Sequence, residues 1–432
     1  MARHLVPETI PLWHLGRGRV GSTLLRLMVV VGAVSFFVTL GSDPQLAWKS
    51  YVVNWNYFAS IALGGVMVGV VTWIVKAKWN WSVRRIHHSF AAYLPIAFVL
   101  FIPMLVSLRE DYFPWIAMMA DDPIVQKKAA YLNIPFLVSR NLAGVLALFA
   151  MACGFVYLAL RPDLGRAAAA LASSDRGDGG SSWWRERFTR GWVGQEQEEV
   201  QSYRRMTRMA PLLVMVYALV MTVIAFDWAM SLEPHWFSTL FGGWFFMGAL
   251  WGGFAATAVI AVFLRQLSPV MKEHVGKSQL WDLGKLTFAF AVFWTYLFWS
   301  QYIVIWYGKL PWEQAWVITR VGEPWGGLSA AVILMCFVVP FAGLLGARPK
   351  RTPRILQTFA VVVLTGLWIW HYMLIFPSLH HAGDPAFSAA TPLIGLMFLG
   401  LFLIAVRWFL ATFPGIQLWQ PPVDPEPLEA EG

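Results

Sequence analysis

Charge is scarce in this chain. Only 13% of its 432 residues are Asp, Glu, Lys or Arg, about half the share of a soluble domain. That shortage excludes an ordinary soluble protein. Cysteine is scarcer still. Cys153 and Cys336 are the only two, and both fall in apolar runs. An iron–sulfur cluster needs about four thiolates, so none fits, and a disulfide is not expected. No CxxCH occurs, which excludes covalently attached c-type haem. A cleavable signal is not expected either: the N-terminus is polar, and no small-residue cleavage site follows the first apolar run. Haem b subunits use pairs of intramembrane His on facing helices. Here only His371 falls clearly inside a span, so haem b is not expected.

Apolar length is abundant. The chain is 58% hydrophobic, and its runs approach the 20 or so residues that cross a bilayer. Ten spans are expected, near 24–40, 56–76, 90–108, 136–160, 210–231, 240–264, 283–307, 328–346, 355–376 and 391–413. The fold class is therefore an all-α polytopic membrane protein. The net charge of +9 could suggest nucleic acid, but its distribution argues otherwise. Basic residues gather in alternate loops: Arg3, Arg17 and Arg19; Lys76, Lys78, Arg84 and Arg85; a run from Arg161 to Arg208; Arg265, Lys272 and Lys277; Arg348, Lys350, Arg351 and Arg354. This is the positive-inside bias, and it places both termini in the cytoplasm.

Outside the spans, residues 1–23 read as a basic cytoplasmic arm. The longest cytoplasmic loop, 161–209, divides in two. Its Ser/Gly/Asp-rich stretch 173–182 reads as a flexible linker. Residues 183–208 mix Trp183, Trp184, Phe188 and Trp192 with arginines, which suits either a segment lying on the inner membrane surface or a plain solvated loop. Of the C-terminal segment 414–432, the Pro/Glu-rich tail from Pro421 reads as disordered. A parallel repeat is expected on three weak matches. Tyr57-Phe58-Ala59-Ser60 with Gly64-Gly65 matches Trp236-Phe237-Ser238-Thr239 with Gly242-Gly243, each opening a helix (2 and 6). Tyr112-Phe113-Pro114-Trp115 matches Lys309-Leu310-Pro311-Trp312. Asp227-Trp228 before Pro234 matches His371-Tyr372 before Pro377. An offset of four helices is even, so both copies share one orientation. Two four-helix bundles, helices 2–5 and 6–9, are then flanked by helices 1 and 10.

Ionisable groups inside a membrane are costly and usually functional. Arg140, Asp227, Gln301, Tyr302 and His371 all fall roughly 6–9 Å below the outer interface, at 1.5 Å per helical residue. One reading is a proton path or polar pocket, with Asp227 paired to Arg140 or His371. The other is a snorkelling Arg, an Asp that ties helices together, and a His satisfied in the interior. Glu233 and His235 flank Pro234 at the outer surface. A helix-exit turn, a docking surface for a periplasmic subunit and proton handling are all open for them. His380-His381 has only Asp384 near it as a third metal ligand, so no metal site is assigned. His87 and His88 suit interface anchoring better than proton uptake, and Asp282 reads as a cap for helix 7. Thr295, Trp299, Tyr302 and Trp306 share one helix face, which suits a quinone, helix packing or lipid.

Two segments carry a family resemblance. One is Asp227-Trp228-Ala229-Met230-Ser231-Leu232-Glu233-Pro234-His235-Trp236-Phe237-Ser238-Thr239. The other is Asp282-Leu283-Gly284-Lys285-Leu286, followed by Phe298-Trp299-Ser300-Gln301-Tyr302 and Trp306-Tyr307. Together they resemble the ActF membrane subunits of bacterial alternative complex III, a quinol:cytochrome c oxidoreductase, within the NrfD-like family. The resemblance implies a multi-pass protein of the bacterial cytoplasmic membrane. It implies partners that hold the redox centres: an ActC-like NrfD subunit, an iron–sulfur subunit and c-type cytochromes, in contact with membrane lipid. It also implies a subunit without its own redox centre, which supports quinol oxidation and is compatible with proton translocation. The quinol would be menaquinol or ubiquinol. Asp227, Glu233, His235, Arg140 and His371 are then proton-path candidates, and Gln301 and Tyr302 quinone-pocket candidates. No catalytic residue is assigned. The alternatives are a purely structural scaffold and a secondary transporter.

Overall fold

The computed structural model describes residue 7 and residues 10–16, 18–107, 112–172, 187–381 and 384–420. Among these there is no strand. Ten helices are long and apolar enough to cross a membrane, and the chain is a multi-pass, all-α membrane protein. In chain order they are α1 (Arg19–Ser42), α2 (Pro44–Ile74), α3 (Arg84–Ser107), α4 (Ile134–Ala172), α5 (Gln195–Trp228), α6 (Phe241–Leu267), α7 (Lys277–Gly308), α8 (Gly326–Leu344), α9 (Pro353–Ile375) and α10 (Ala390–Thr412). α3 begins with a short helix and a 3-10 turn, and α8 passes through a π turn at Leu334–Val338.

α2 and α6 form the centre. Both are buried along most of their length, whereas α1 and α8 lie at the periphery. Glycine explains how two helices can sit so close. A Cβ on Gly64 would stand 1.8 Å from the Ala249 carbonyl oxygen, and one on Gly253 would stand 2.3 Å from the Gly64 carbonyl carbon. Backbone therefore meets backbone, as small residues allow between membrane helices. α3 packs on α2, α7 and α9 pack on α6, α5 touches both centres, α4 packs on α5, α8 on α9, and α10 on α1 and α2. Matching indole bonds tie each centre to its neighbour: Trp55 Nε1 donates to Ala97 O at 2.8 Å, and Trp251 Nε1 to Thr287 O at 2.9 Å.

Several expectations are corrected. α2 begins at Pro44, not near residue 56, because Asp43 caps it by accepting from the Leu46 amide at 2.9 Å. Lys49, Ser50, Asn54 and Asn56 lower the hydropathy there and hide a buried helix. Tyr57–Ser60 is therefore mid-helix, while Trp236–Thr239 lies before α6. The two motifs do not share a depth. Gly64 meets α6, but Gly242 meets Thr222 of α5. α7 begins at Lys277, where the Gln279 side chain accepts from the Gly276 amide at 3.1 Å. Asp282 is a turn too late to cap it and pairs with Lys285 at 2.6 Å.

The expected loop 161–209 is largely helical. α4 continues to Ala172 and α5 starts at Gln195, so residues 195–208 prolong a span rather than lie flat on a membrane. Ion pairs hold the two extensions together: Arg161 with Glu198 at 2.5 Å and Arg166 with Glu199 at 2.6 Å. The linker 173–182, Trp183, Trp184, Arg185 and the tail from Pro421 lie outside the described residues. Residues before the tail are docked. Asp163 Oδ1 accepts from the Leu418 and Trp419 amides at 2.8 and 2.9 Å. The Trp419 indole donates to Ala159 O at 3.0 Å, and the Gly415 amide to Trp13 O at 2.7 Å. The segments before α1 and after α10 thus meet at one end, which also gathers Lys76, Arg84, Arg265 and Arg348. We call this the basic end, and the opposite one the cassette end.

Candidate functional site

The turn that ends α5 carries the cassette Asp227–Trp236. α5 stops at Trp228, a 3-10 turn follows at Met230–Leu232, and Pro234 prevents a return to helix. The Ser231 hydroxyl donates to Asp227 O at 2.7 Å and closes the turn. Three ionisable side chains leave this corner in three directions.

Asp227 is fully buried. Arg140 of α4 grips it with two hydrogen bonds, Nε to Oδ2 at 2.8 Å and Nη2 to Oδ1 at 2.6 Å. The Tyr131 hydroxyl donates to Oδ1 at 2.8 Å, and the Asn141 amide to Oδ2 at 2.5 Å. Four donors thus fill the carboxylate. Its donors are fixed in turn. Arg140 Nη1 donates to Tyr131 O at 2.8 Å, and its guanidinium lies 3.9 Å from the Tyr131 ring centroid. Asn141 Oδ1 accepts from the Trp228 indole at 2.9 Å. Burial and the Asp227 charge push the Tyr131 phenol upward, so it stays a donor. A buried charge needs this degree of satisfaction, since removing one partner leaves the other uncompensated.

Glu233 reaches the other half of the molecule. Arg320 Nη1 donates to Glu233 Oε1 at 2.8 Å, and the Ser378 hydroxyl to the same oxygen at 2.6 Å. Arg320 sits on the short helix Pro311–Val321, stacked 3.9 Å from the Trp316 ring centroid. It also donates to Ser378 Oγ at 2.6 Å and to the Met373 carbonyl at 3.1 Å, at the end of α9. Burial draws its guanidinium below the ordinary value, and Glu233 opposes that. Arg320→Gln is expected to release this helix. Amide hydrogen exchange across 311–321 should quicken at least tenfold, and unchanged exchange would show that the tie does not hold the helix.

His235 turns to the loop after α3. Its Nε2 lies 2.6 Å from Asp122 Oδ2. Asp122 also caps the turn Pro123–Gln126 through the Ile124 and Val125 amides at 2.8 and 3.3 Å. Lys128 adds a bond to Pro234 O at 2.5 Å. Together with Ala117, Met118, Asp121, Pro123 and Ile124, His235 and Asp122 line an open depression of about 670 Å³. Burial works against the Asp122 charge, but the Ile124 amide, the His235 ring and the Val125 amide outweigh it and hold the carboxyl below its ordinary value. A carboxyl lowered in the fold stabilises it above the unfolded value, near 3.9. That contribution disappears as pH falls from there through the lowered value. Exchange of the Ile124 and Val125 amides, corrected for intrinsic rate, should therefore rise only below about pH 4. A rise that began well above that pH would show that the Asp122 carboxyl does not hold the turn.

The remaining candidates are dispersed. His371 is buried, with Nδ1 2.8 Å from Leu367 O and its ring among Tyr57, Phe245 and Trp370. Asp227 pairs with Arg140, and its carboxylate partners do not include His371. Gln301 turns inward, where its Oε1 accepts from Ser238 Oγ at 2.8 Å. Tyr302 stacks with Trp299 and Trp306, which are 51% and 55% exposed on the outward face of α7. These neighbours lie on different faces of one helix. His380 packs on Trp325, while the His381 ring faces Gln45. Among the described residues no three metal-ligating side chains converge.

His87 and His88 are not interface anchors. Both are fully buried at the basic end, with His87 Nδ1 3.0 Å from Thr257 of α6 and His88 Nδ1 3.3 Å from Arg85. Arg85 is paired with Asp163.

Sequence reasoning missed Tyr131, Asn141, Arg320, Ser378 and Asp122. Asn141 sat beside Arg140 as an available signal, and so did Arg320, one helical turn after Trp316. No protein-family model matches this chain, and comparison with curated proteins finds no match.

Proposed function

We propose that this chain is a membrane subunit of a respiratory quinol:electron-acceptor oxidoreductase, without its own redox centre, and that its cassette end seats the partners that carry the redox groups. One observation carries the reading. The corner Asp227–His235, the segment that resembles the ActF subunits, fixes three separate elements at one end of the bundle: α4 through Arg140, the helix Pro311–Val321 and α9 through Arg320 and Ser378, and the loop after α3 through Asp122. A rigid end face of this kind suits docking, because pre-ordered loops lose little entropy on association.

The same bonds favour a brace over a proton relay. From the surface they run through Tyr131 to Asp227, then to Asn141 and the Trp228 indole. An amide and an indole do not pass protons onward. In this reading the cassette end faces outward, in keeping with the positive-inside bias of the basic loops at the other end, and the partners are the ActC-like, iron–sulfur and cytochrome subunits.

The test is gentle solubilisation of native membranes and purification through a tag on this chain. Co-purifying c-type haem absorbance with quinol-dependent reduction of cytochrome c supports the reading. Intact chain that purifies without haem and without that activity overturns it.

A further inference from the structure

At the basic end, the first turns of α7 and the short helix Ala347–Arg351 crowd three cations around one indole. Lys285 Nζ lies 5.7 Å from the Trp281 ring centroid, Lys350 Nζ 5.0 Å and Arg351 Cζ 4.5 Å. The Asp282 carboxylate faces them, with Oδ1 2.6 Å from Lys285 Nζ. Like charges this close repel unless an anion joins them.

Lys350 is the most enclosed of the three. The residue is 6% exposed, and its Nζ lies 4.9 Å from the Phe288 ring centroid. It donates to Leu345 O at 3.3 Å, although an ammonium carries three donors. Burial and the Lys285 charge both draw it below the ordinary lysine value. The contact is built in: a Cβ on Gly284 would stand 2.8 Å from Lys350 Cβ, so only glycine lets this lysine lie against α7.

The surface leading away from the cations is apolar. Phe288 stacks on Phe341 at 5.5 Å, and Phe341 packs on Phe337 at 5.2 Å. Val338 and Phe341 are exposed on the outside of α8, as is Leu345 just beyond its end. Cations, an amphipathic indole and then an outward apolar strip follow one another, as the parts of a phospholipid do.

We propose that Lys285, Lys350 and Arg351 bind the phosphate of an anionic phospholipid, whose acyl chains lie along the Phe288–Phe341 strip. Basic pockets between membrane helices at the cytoplasmic side take anionic head groups in this way, and Trp281 supplies the ring that sits at head-group level. The site is independent of the respiratory reading. It asks only that the ten helices span a membrane.

Native mass spectrometry of the full chain in detergent tests it, with phosphatidylglycerol, phosphatidylcholine and inorganic phosphate as the probes. Phosphatidylglycerol should bind at least tenfold tighter than phosphatidylcholine. One basic residue near an anionic surface is worth about fivefold. The double variant Lys285→Gln/Arg351→Gln should therefore lose about twenty-five-fold for phosphatidylglycerol and much less for phosphatidylcholine, whose phosphate is already paired with its own choline. Both residues are exposed and the variant loses one partly exposed ion pair, Lys285 with Asp282, so its lipid-free thermal midpoint should fall only slightly. Lys350→Gln should weaken the same adduct. Equal affinity for the two lipids, or a double variant that binds as the parent does, overturns the proposal. So does inorganic phosphate that raises the parent's midpoint as far as phosphatidylglycerol does, since the ligand is then free phosphate.

Discussion

Asp227→Ala is expected to destabilise the folded chain by about 3–5 kcal/mol, the usual loss when one member of a buried ion pair is removed. The reason lies in what remains. Arg140 has a side chain only 10% exposed, and its Nε and Nη2 both donate to the missing carboxylate. Tyr131 and Asn141 lose their acceptor as well. Asp227→Asn keeps the shape but replaces one accepting oxygen with a donor, which must face an Arg140 nitrogen together with either Tyr131 or Asn141. It should fall between Ala and the parent. The double variant Asp227→Ala/Arg140→Met separates the causes. With both charges gone, no uncompensated charge remains buried, and part of the loss should return. Denaturation of the purified chain in detergent measures all four. A single-variant loss below about 1 kcal/mol, the range of a surface pair, would mean that the grip on Asp227 is not structural. This distinction matters for function. If Asp227→Asn lowers activity, assembly must be measured beside it, because a collapsed corner and a blocked proton path give the same loss.

Gly64→Leu should be more damaging still. At Gly64 even a Cβ would enter the Ala249 carbonyl at 1.8 Å, and what stands in the way is backbone, which cannot rotate aside. α2 and α6 would have to separate along the centre of the molecule. Overpacking usually destabilises by about 1–3 kcal/mol where side chains can adjust; here they cannot, so little or no folded chain is expected. Gly243→Leu is the control, since nothing lies within 4 Å of a Cβ there. Yield and monodispersity after solubilisation read both. A Gly64→Leu protein with parental yield and midpoint would show that the two helices do not pack as described.

Glu233 and His235 illustrate what a sequence leaves undecided. A helix-exit turn, a docking surface and proton handling were all compatible with two ionisable residues beside Pro234. The choice depends on partners 87 and 113 residues away, Arg320 and Asp122. The same holds for Asp227. Its depth matched that of Arg140 and of His371 equally well, because rise per residue gives depth but not azimuth around the bundle. Packing then set Arg140 against it and turned His371 toward Tyr57 and Phe245.

By itself the sequence determined the number of spans, the all-α class and the basic bias of one end. Each follows from composition averaged over some 20 residues, and a bilayer imposes that average locally. The ends of α2, α4 and α5 escaped it. Lys49 and Asn54 of α2, or Glu198 of α5, are polar residues buried among helices rather than in water, and hydropathy cannot tell the two apart. Only the tertiary structure decided which carboxylate meets which guanidinium, which glycine admits a neighbouring backbone, and where three cations converge on Trp281. Those are contacts between residues distant in the chain, fixed by how helices are placed around one another, and one-dimensional patterns carry no record of that placement.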